Sequence, residues 1–261
     1  MTGVDLNADL AEGETFTASD RAVLAEVTSA SLACGLHAGN PAVMQATAAA
    51  CLDGGVTIGA HVSFRDREGF GRRPVRADPA AVVADIVEQV SILSDAIATT
   101  GATPSYLKPH GALYHQMGSD PAVAAAVVEA ATRTGLGVVL AQPASAVIRP
   151  ASDAGLTLVP EGYPDRGYQA DGRLVPRGEP GALVDDPEEV GRRALSLARR
   201  GGLESVEGSW TPVAVATLCV HGDAPGAAGN ARAVRAALES SGVSVRPFTA
   251  DRPPPTRDQS P

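Results

Sequence analysis

Val213-Ala-Val-Ala-Thr-Leu-Cys-Val220 is a run in which only Thr217 is polar, and it ends on His221-Gly-Asp223. A strand with one wet face alternates polar and apolar residues. A run that is apolar on both faces belongs to a strand covered on both sides, as in a parallel sheet overlaid by helices. Shorter runs of the same kind recur along the chain and predict strands at 4–9, 29–34, 56–61, 105–108, 137–141, 156–161, 214–221 and 243–248. Helical segments follow nearly all of them. Four of these helices begin on a polar capping residue followed by proline: Asn40-Pro41, Asp78-Pro79, Asp120-Pro121 and Asp186-Pro187. Such a side chain accepts from a free N–H of the first turn, and proline there lacks only an N–H that would have no partner. Strand followed by helix, seven or eight times, predicts an α/β fold, an irregular (β/α) barrel of seven or eight parallel strands. An open doubly wound sheet is the alternative.

The chain of 261 residues, 44% hydrophobic, is long enough to bury one large core, so residues 1–250 are expected to form a single barrel domain. The remainder, 251–261, is rich in proline and nearly free of apolar residues, and is expected to be disordered. The formal net charge is −9, and no basic cluster is interleaved with aromatic residues, which argues against a nucleic-acid partner. No apolar window approaches a membrane span, and the N-terminus has no basic segment leading into an apolar one, so a cytoplasmic protein is expected. Cys34, Cys51 and Cys219 form no CxxC pair and are read as reduced. Small molecules and other proteins are the expected partners.

The chemistry-bearing residues gather where the apolar runs end. Asp5, Asn7 and Asp9 lead to Glu12; the second run leads to His37, the third ends on His61, and the fourth on Lys108 and His110. The sixth leads through Glu161 to Asp165 and Arg166, and the seventh ends on His221 and Asp223. In a parallel barrel all these ends converge on one rim, where such enzymes build their sites. Two long connections, 62–77 with Gly69-Phe-Gly-Arg72-Arg73 and 162–184, should lie on that rim. Lys108 is the only lysine among 21 basic side chains. An ammonium is a compact point charge with a movable pKa, whereas a guanidinium stays charged, so this position points to chemistry.

Each residue also has a structural reading. Asp5, Asn7 and Asp9 equally suit a polar layer inside the barrel, His37 a loop contact at a helix start, and Arg72 and Arg73 either an anion grip or a solvated loop. Cys34 and Cys219 read as buried fillers and His115 as an ordinary loop histidine. The chain lacks HExxH and any close histidine pair, so no metal is assigned; Asp9, His37 and His61 form the alternative ligand set. There is no GxxxxGK[ST], which excludes a P-loop.

Seven segments, taken together and in order, resemble the LamB/YcsF family: Asp5-Leu-Asn-Ala-Asp-Leu10, Ala33-Cys-Gly-Leu-His-Ala-Gly39, Gly59-Ala-His61, Gly69-Phe-Gly-Arg-Arg73, Lys108-Pro-His-Gly-Ala-Leu-Tyr114, Asp165-Arg-Gly-Tyr168 and Cys219-Val-His-Gly-Asp223. Its members look like the A component of the prokaryotic ATP-dependent 5-oxoprolinase. The resemblance implies a barrel similar to those of glycoside hydrolases and deacetylases. It also implies ATP-coupled opening of 5-oxo-L-proline to L-glutamate, and partner subunits B and C. ATP is the implied co-substrate, bound here or mainly on the partners; a divalent metal and self-association are left open.

On that reading Asp9 or His61 activates water, His110 or His221 protonates the departing nitrogen, and Lys108 holds an anion or moves a proton. Asp5, Asn7, Glu12, His37, Arg72, Arg73, Tyr114, Asp165, Arg166 and Asp223 line the substrate site. The rival is a stand-alone metal-dependent amidohydrolase or carbohydrate deacetylase; a non-catalytic scaffold for partner subunits is the other. Ala11 stands where the family usually has glycine, Asn40 where it has aspartate, and Val62-Ser-Phe-Arg-Asp66 replaces a segment usually containing prolines and tyrosine.

Overall fold

The computed structural model describes residues 3–143, 145–222 and 226–248. Strands β1 (Gly3–Leu10), β2 (Ser29–Ala33), β3 (Thr57–Val62), β4 (Tyr106–Pro109), β5 (Val138–Ala141) and β6 (Thr157–Gly162) pair in sequence order. A hairpin of β7 (Gly202–Glu204) and β8 (Trp210–Pro212) interrupts the series. Then β9 (Thr217–His221) pairs with β6 on one side and β1 on the other. Every pairing in the ring is parallel, and β9 closes it, so the sheet is a seven-stranded α/β barrel without free edges. The expected eighth strand is only β10 (Ser244–Val245), appended outside the ring to the first residues of β1. The apolar run at 213–220 enters the barrel at Thr217; residues 213–216 are approach, tied in by Ala216 N–H to Pro160 C=O.

Around the barrel lie α1 (Ala18–Leu24), α2 (Pro41–Gly54), α3 (Pro79–Ile97), α4 (Gly111–Ser119), α5 (Pro121–Thr134), α6 (Ile148–Asp153), α7 (Pro187–Arg200) and α8 (Ala227–Ser240). All four polar-proline starts cap as expected: Asn40, Asp78, Asp120 and Asp186 accept from the N–H groups of Val43, Ala80, Ala122 and Glu188. None of the described helices is long and apolar enough to cross a membrane. The expected disorder of 251–261 falls outside the described residues.

Alternation along the strands separates two kinds of core. Leu6, Ala8 and Leu10 face the helices and join the large apolar core. Asp5, Asn7 and Asp9 face the barrel interior with Ser29, Ser31, Lys108, Glu161, Thr217 and Cys219, all buried. Gly59 is glycine because a Cβ there would overlap the Tyr106 ring, which fills the barrel beneath Lys108 and meets Ser31 Oγ at 3.1 Å. The lower interior is therefore a hydroxyl and carboxylate layer, and charge is concentrated toward the strand ends.

Candidate active site

Lys108 is 1% exposed, and its Nζ lies 2.7 Å from Asp9 Oδ1, 2.9 Å from Glu161 Oε1, 3.1 Å from Asn7 Oδ1 and 3.0 Å from Cys219 Sγ. Burial opposes its charge, but the carboxylates of Asp9 and Glu161 hold its pKa well above the ordinary lysine value. Two carboxylates against Nζ favour the charged ammonium over a neutral, proton-moving Lys108. Asp9 answers it. Burial would raise its pKa, but His61, Lys108 and His221 hold it well below the ordinary carboxylate range, which makes it a poor general base. Cys219 is buried with its thiol pushed up, as is Cys34, and Cys51 is pushed up to about 12, so none is an activated nucleophile.

Above this ammonium opens a cavity of about 420 Å³. Asp9, His61, Lys108 and His110 form its floor; Arg72, Tyr114, Tyr163, Arg166, Arg177 and His221 its sides. His221 rests on the Tyr163 ring, centroids 5.5 Å apart. Its Nδ1 lies 2.7 Å from Asp165 Oδ2, which also accepts its backbone N–H at 3.1 Å. A carboxylate only accepts, so the proton sits on Nδ1 and Nε2 is the exchanging nitrogen. Burial works against the Asp165 charge, yet His221 and Arg166 keep its pKa below normal. Its Oδ1 is buried without a hydrogen-bond partner among the described residues.

The loop Gly69-Phe-Gly-Arg72-Arg73 acts on histidines. Phe70 adopts φ 54°, rare for a side-chain-bearing residue, and its carbonyl takes the Nε2–H of His110 at 2.8 Å. Gly71 C=O accepts Ala112 N–H at the start of α4, and a Cβ on Gly111 would lie 2.5 Å from that oxygen. Arg72 lies over the Phe70 ring, 4.6 Å from its centroid, and lines the cavity.

Residues 4–252 match the LamB/YcsF family. The chain belongs to it. This LamB/YcsF chain is 50% identical over 249 residues to the 5-oxoprolinase A component of Streptomyces griseus, covering 94% of this chain and 99% of the relative. It is 41% identical over 255 residues to a 5-oxoprolinase A component of Agrobacterium fabrum, covering 97% and 100%. The crystal structure of the lactam utilization protein from Thermus thermophilus superposes with a TM-score of 0.86 at 39% identity, over 94% of this chain and 99% of that one.

Among the family motifs, the structure brings Asp9, His61, Arg72, Lys108, His110, Tyr114, Arg166 and His221 to one cavity. Several expected substrate contacts are placed elsewhere. Asp5 lies low in the barrel, accepting from Thr28, Ser29 and Thr217, and burial raises its pKa to about 6. Asn7 is a strut between Lys108, Glu161 and Thr217. Arg73 is solvent-exposed and folds back on Asp66 and Glu68, so it is no part of the cavity wall. Arg166 reaches the wall but gives Nε and Nη2 to the carbonyls of Ala182 and Val175, bracing its loop. Asp223 lies outside the described residues.

Other contributors do not stand out in the sequence. Glu161 reads there only as a strand-end residue, yet it pairs with Lys108 and accepts from Tyr163 Oη at 2.5 Å. Tyr163 and Arg177 sit in a loop without periodicity; their one signal is the length of that loop. His115, read as an ordinary loop histidine, lies on the cavity rim. Two departures from the family pattern have local effects. Ala11 is held at φ 59°, where glycine fits without strain, and Asn40 still caps α2.

Proposed function

We propose that this chain, as the A component of a multi-subunit 5-oxoprolinase, opens the ring of 5-oxo-L-proline by ATP-dependent hydrolysis to L-glutamate, with partner subunits B and C. The reading rests above all on end-to-end similarity to relatives named as 5-oxoprolinase A components. The cavity supplies the means. A lactam carbonyl is a poor electrophile, and phosphorylation of its oxygen by ATP turns that oxygen into a leaving group. Water then adds to the ring carbon, the C–N bond breaks as the nitrogen takes a proton, and the acyl phosphate so formed loses phosphate to a second water, giving L-glutamate.

His221 suits the proton transfers. Asp165 fixes its Nδ1–H, leaving Nε2 to take a proton from water and return it to the departing nitrogen. Lys108, fixed between Asp9 and Glu161, offers a preorganised positive charge that needs no reorganisation as oxygen becomes negative. Arg72 and Arg177 add forks suited to the substrate carboxylate or phosphoryl oxygens. At about 420 Å³ the cavity is near the small end of ligand sites, roughly 300–1,000 Å³, which suits a compact ring acid. The nucleotide is accordingly assigned mainly to the partners.

The test is reconstitution. Glutamate release from 5-oxo-L-proline is measured with this chain alone and with subunits B and C, each with and without ATP. Release only from the full set with ATP is expected; none in any combination would reject the proposal.

A further inference from the structure

A second hollow shares no lining residue with the cavity. It is a groove of about 920 Å³ between α7 on one side and the β7–β8 hairpin with residues 181–184 on the other. The amphipathic α7 turns Val190, Ala194 and Leu197 into the core and lines the groove with Arg192, Arg193, Arg199 and Arg200. The hairpin stands outside the barrel but is tied to its neighbours. Ser196 Oγ donates to Gly202 C=O at 2.7 Å, and Val206 N–H donates to Tyr168 C=O at 2.9 Å.

Of the six large apolar side chains that stand exposed among the described residues, Leu183, Val206 and Trp210 border this one groove. Apolar surface gathered in one place marks an interaction face, whereas scattered residues do not. Trp210 is set in position. Its ring lies against Gly202, where a Cβ would come 2.9 Å from Cζ2, and under the Arg200 guanidinium, 4.2 Å from the ring centroid. A large aromatic anchor already fixed loses little freedom when a partner covers it.

Charge selects the occupant. The lining carries four arginines against Glu189 and Glu204, on a chain whose formal net charge is −9. Guanidinium forks suit carboxylates, so this face attracts an acidic partner. A second copy of the chain fits poorly, because a two-fold contact would set these arginines against their own equivalents. The arginines are spread over about 12 Å of helix, which matches successive side chains of an extended segment better than one compact anion.

On the multi-subunit reading above, we propose that this groove is where another subunit of the 5-oxoprolinase docks. It does so through an extended segment that sets carboxylates against the α7 arginines and a bulky apolar side chain against Trp210 and Val206. The position bears on the chemistry. Arg193, which lines the groove, donates from Nε to Pro164 C=O at 2.9 Å and from Nη2 to Arg166 C=O. These two contacts bracket Asp165, the residue that orients His221. A subunit seated in the groove thus braces the loop that places the Asp165 carboxylate.

Trp210 is the only tryptophan in the chain, so 5-fluorotryptophan built into the full chain gives one fluorine resonance that reports on the groove. The labelled chain is mixed with unlabelled subunits B and C, and assembly is followed by size-exclusion chromatography. The resonance should move on assembly. Val206→Asp and Arg192→Glu, both at exposed positions, should each raise Kd for the partner subunits by about tenfold or more without lowering the melting temperature. Leu52→Asp, at an exposed position of α2, should bind as wild type does.

Assembly with an unmoved resonance and wild-type affinity in both groove variants would overturn the docking site and leave the 5-oxoprolinase reading standing. Absence of assembly would overturn it too, and ATP-dependent glutamate release from the same mixture then tells whether that reading falls with it. A resonance that moves with ATP alone, or when the chain alone is concentrated, would overturn it by giving the groove to a nucleotide or to a second copy.

Discussion

Nζ of Lys108 lies 2.7 Å from Oδ1 of Asp9 and 2.9 Å from Oε1 of Glu161, inside a barrel that leaves the lysine 1% exposed. Removing one partner from such a buried arrangement strands the others. Lys108→Met should destabilise the protein by about 3–5 kcal/mol, because two buried carboxylates lose their counter-charge. Lys108→Arg should also lose activity, since a planar fork does not fit a slot shaped around one nitrogen. Chemical denaturation and glutamate release check the two; full activity in the arginine variant would contradict the special place given to the ammonium.

The tautomer of His221 is set by Asp165. Asp165→Asn keeps the shape but presents an amide able to donate, which favours the proton on Nε2 and closes the exchanging site. Turnover by the complex should fall by about 10²–10⁴ with little change in stability. A change in KM alone would argue that Asp165 only shapes the cavity.

Asp5 provides a pH signature. Its pKa, raised from 3.8 to about 6 by burial, means the folded protein binds this proton more tightly than the unfolded chain. Its stabilising contribution is complete below about 4 and is lost as pH rises through about 6. Relative to Asp5→Asn, the wild type should thus gain up to about 3 kcal/mol as pH falls from 7 to 4. Parallel denaturation curves for the two proteins across that window would refute the assignment.

Ala11 carries backbone strain at φ 59°. Ala11→Gly should raise stability by about 1 kcal/mol, since the relief exceeds the entropy glycine adds to the unfolded chain, and the melting temperature by about 2–4 °C. A lower melting temperature would mean the buried methyl contributes more packing than the strain costs.

Legibility follows periodicity. The strand-end placement of Asp9, His61, Lys108, His110 and His221 is readable because an apolar run ending in a polar residue marks the rim of a parallel barrel. The four capped helix starts are readable because their signal is local. Side-chain direction is not. Asp5 and Arg73 carry plausible chemistry, but one lies low in the barrel and the other turns back on Asp66. The approach of Glu12 to His37, His61 and His110 escapes the sequence because it depends on the Phe70 carbonyl and on contacts across long stretches of chain. Tyr163 and Arg177 sit where no repeat constrains the reading.

The claim that ring opening takes place in this barrel mouth is tested most directly by changing only His221 in the reconstituted complex. His221→Asn keeps a polar side chain in place but has no nitrogen able to exchange the proton. The account predicts that subunits B and C still assemble with the variant while ATP-dependent glutamate release falls at least a hundredfold. Undiminished release from the assembled variant would contradict it.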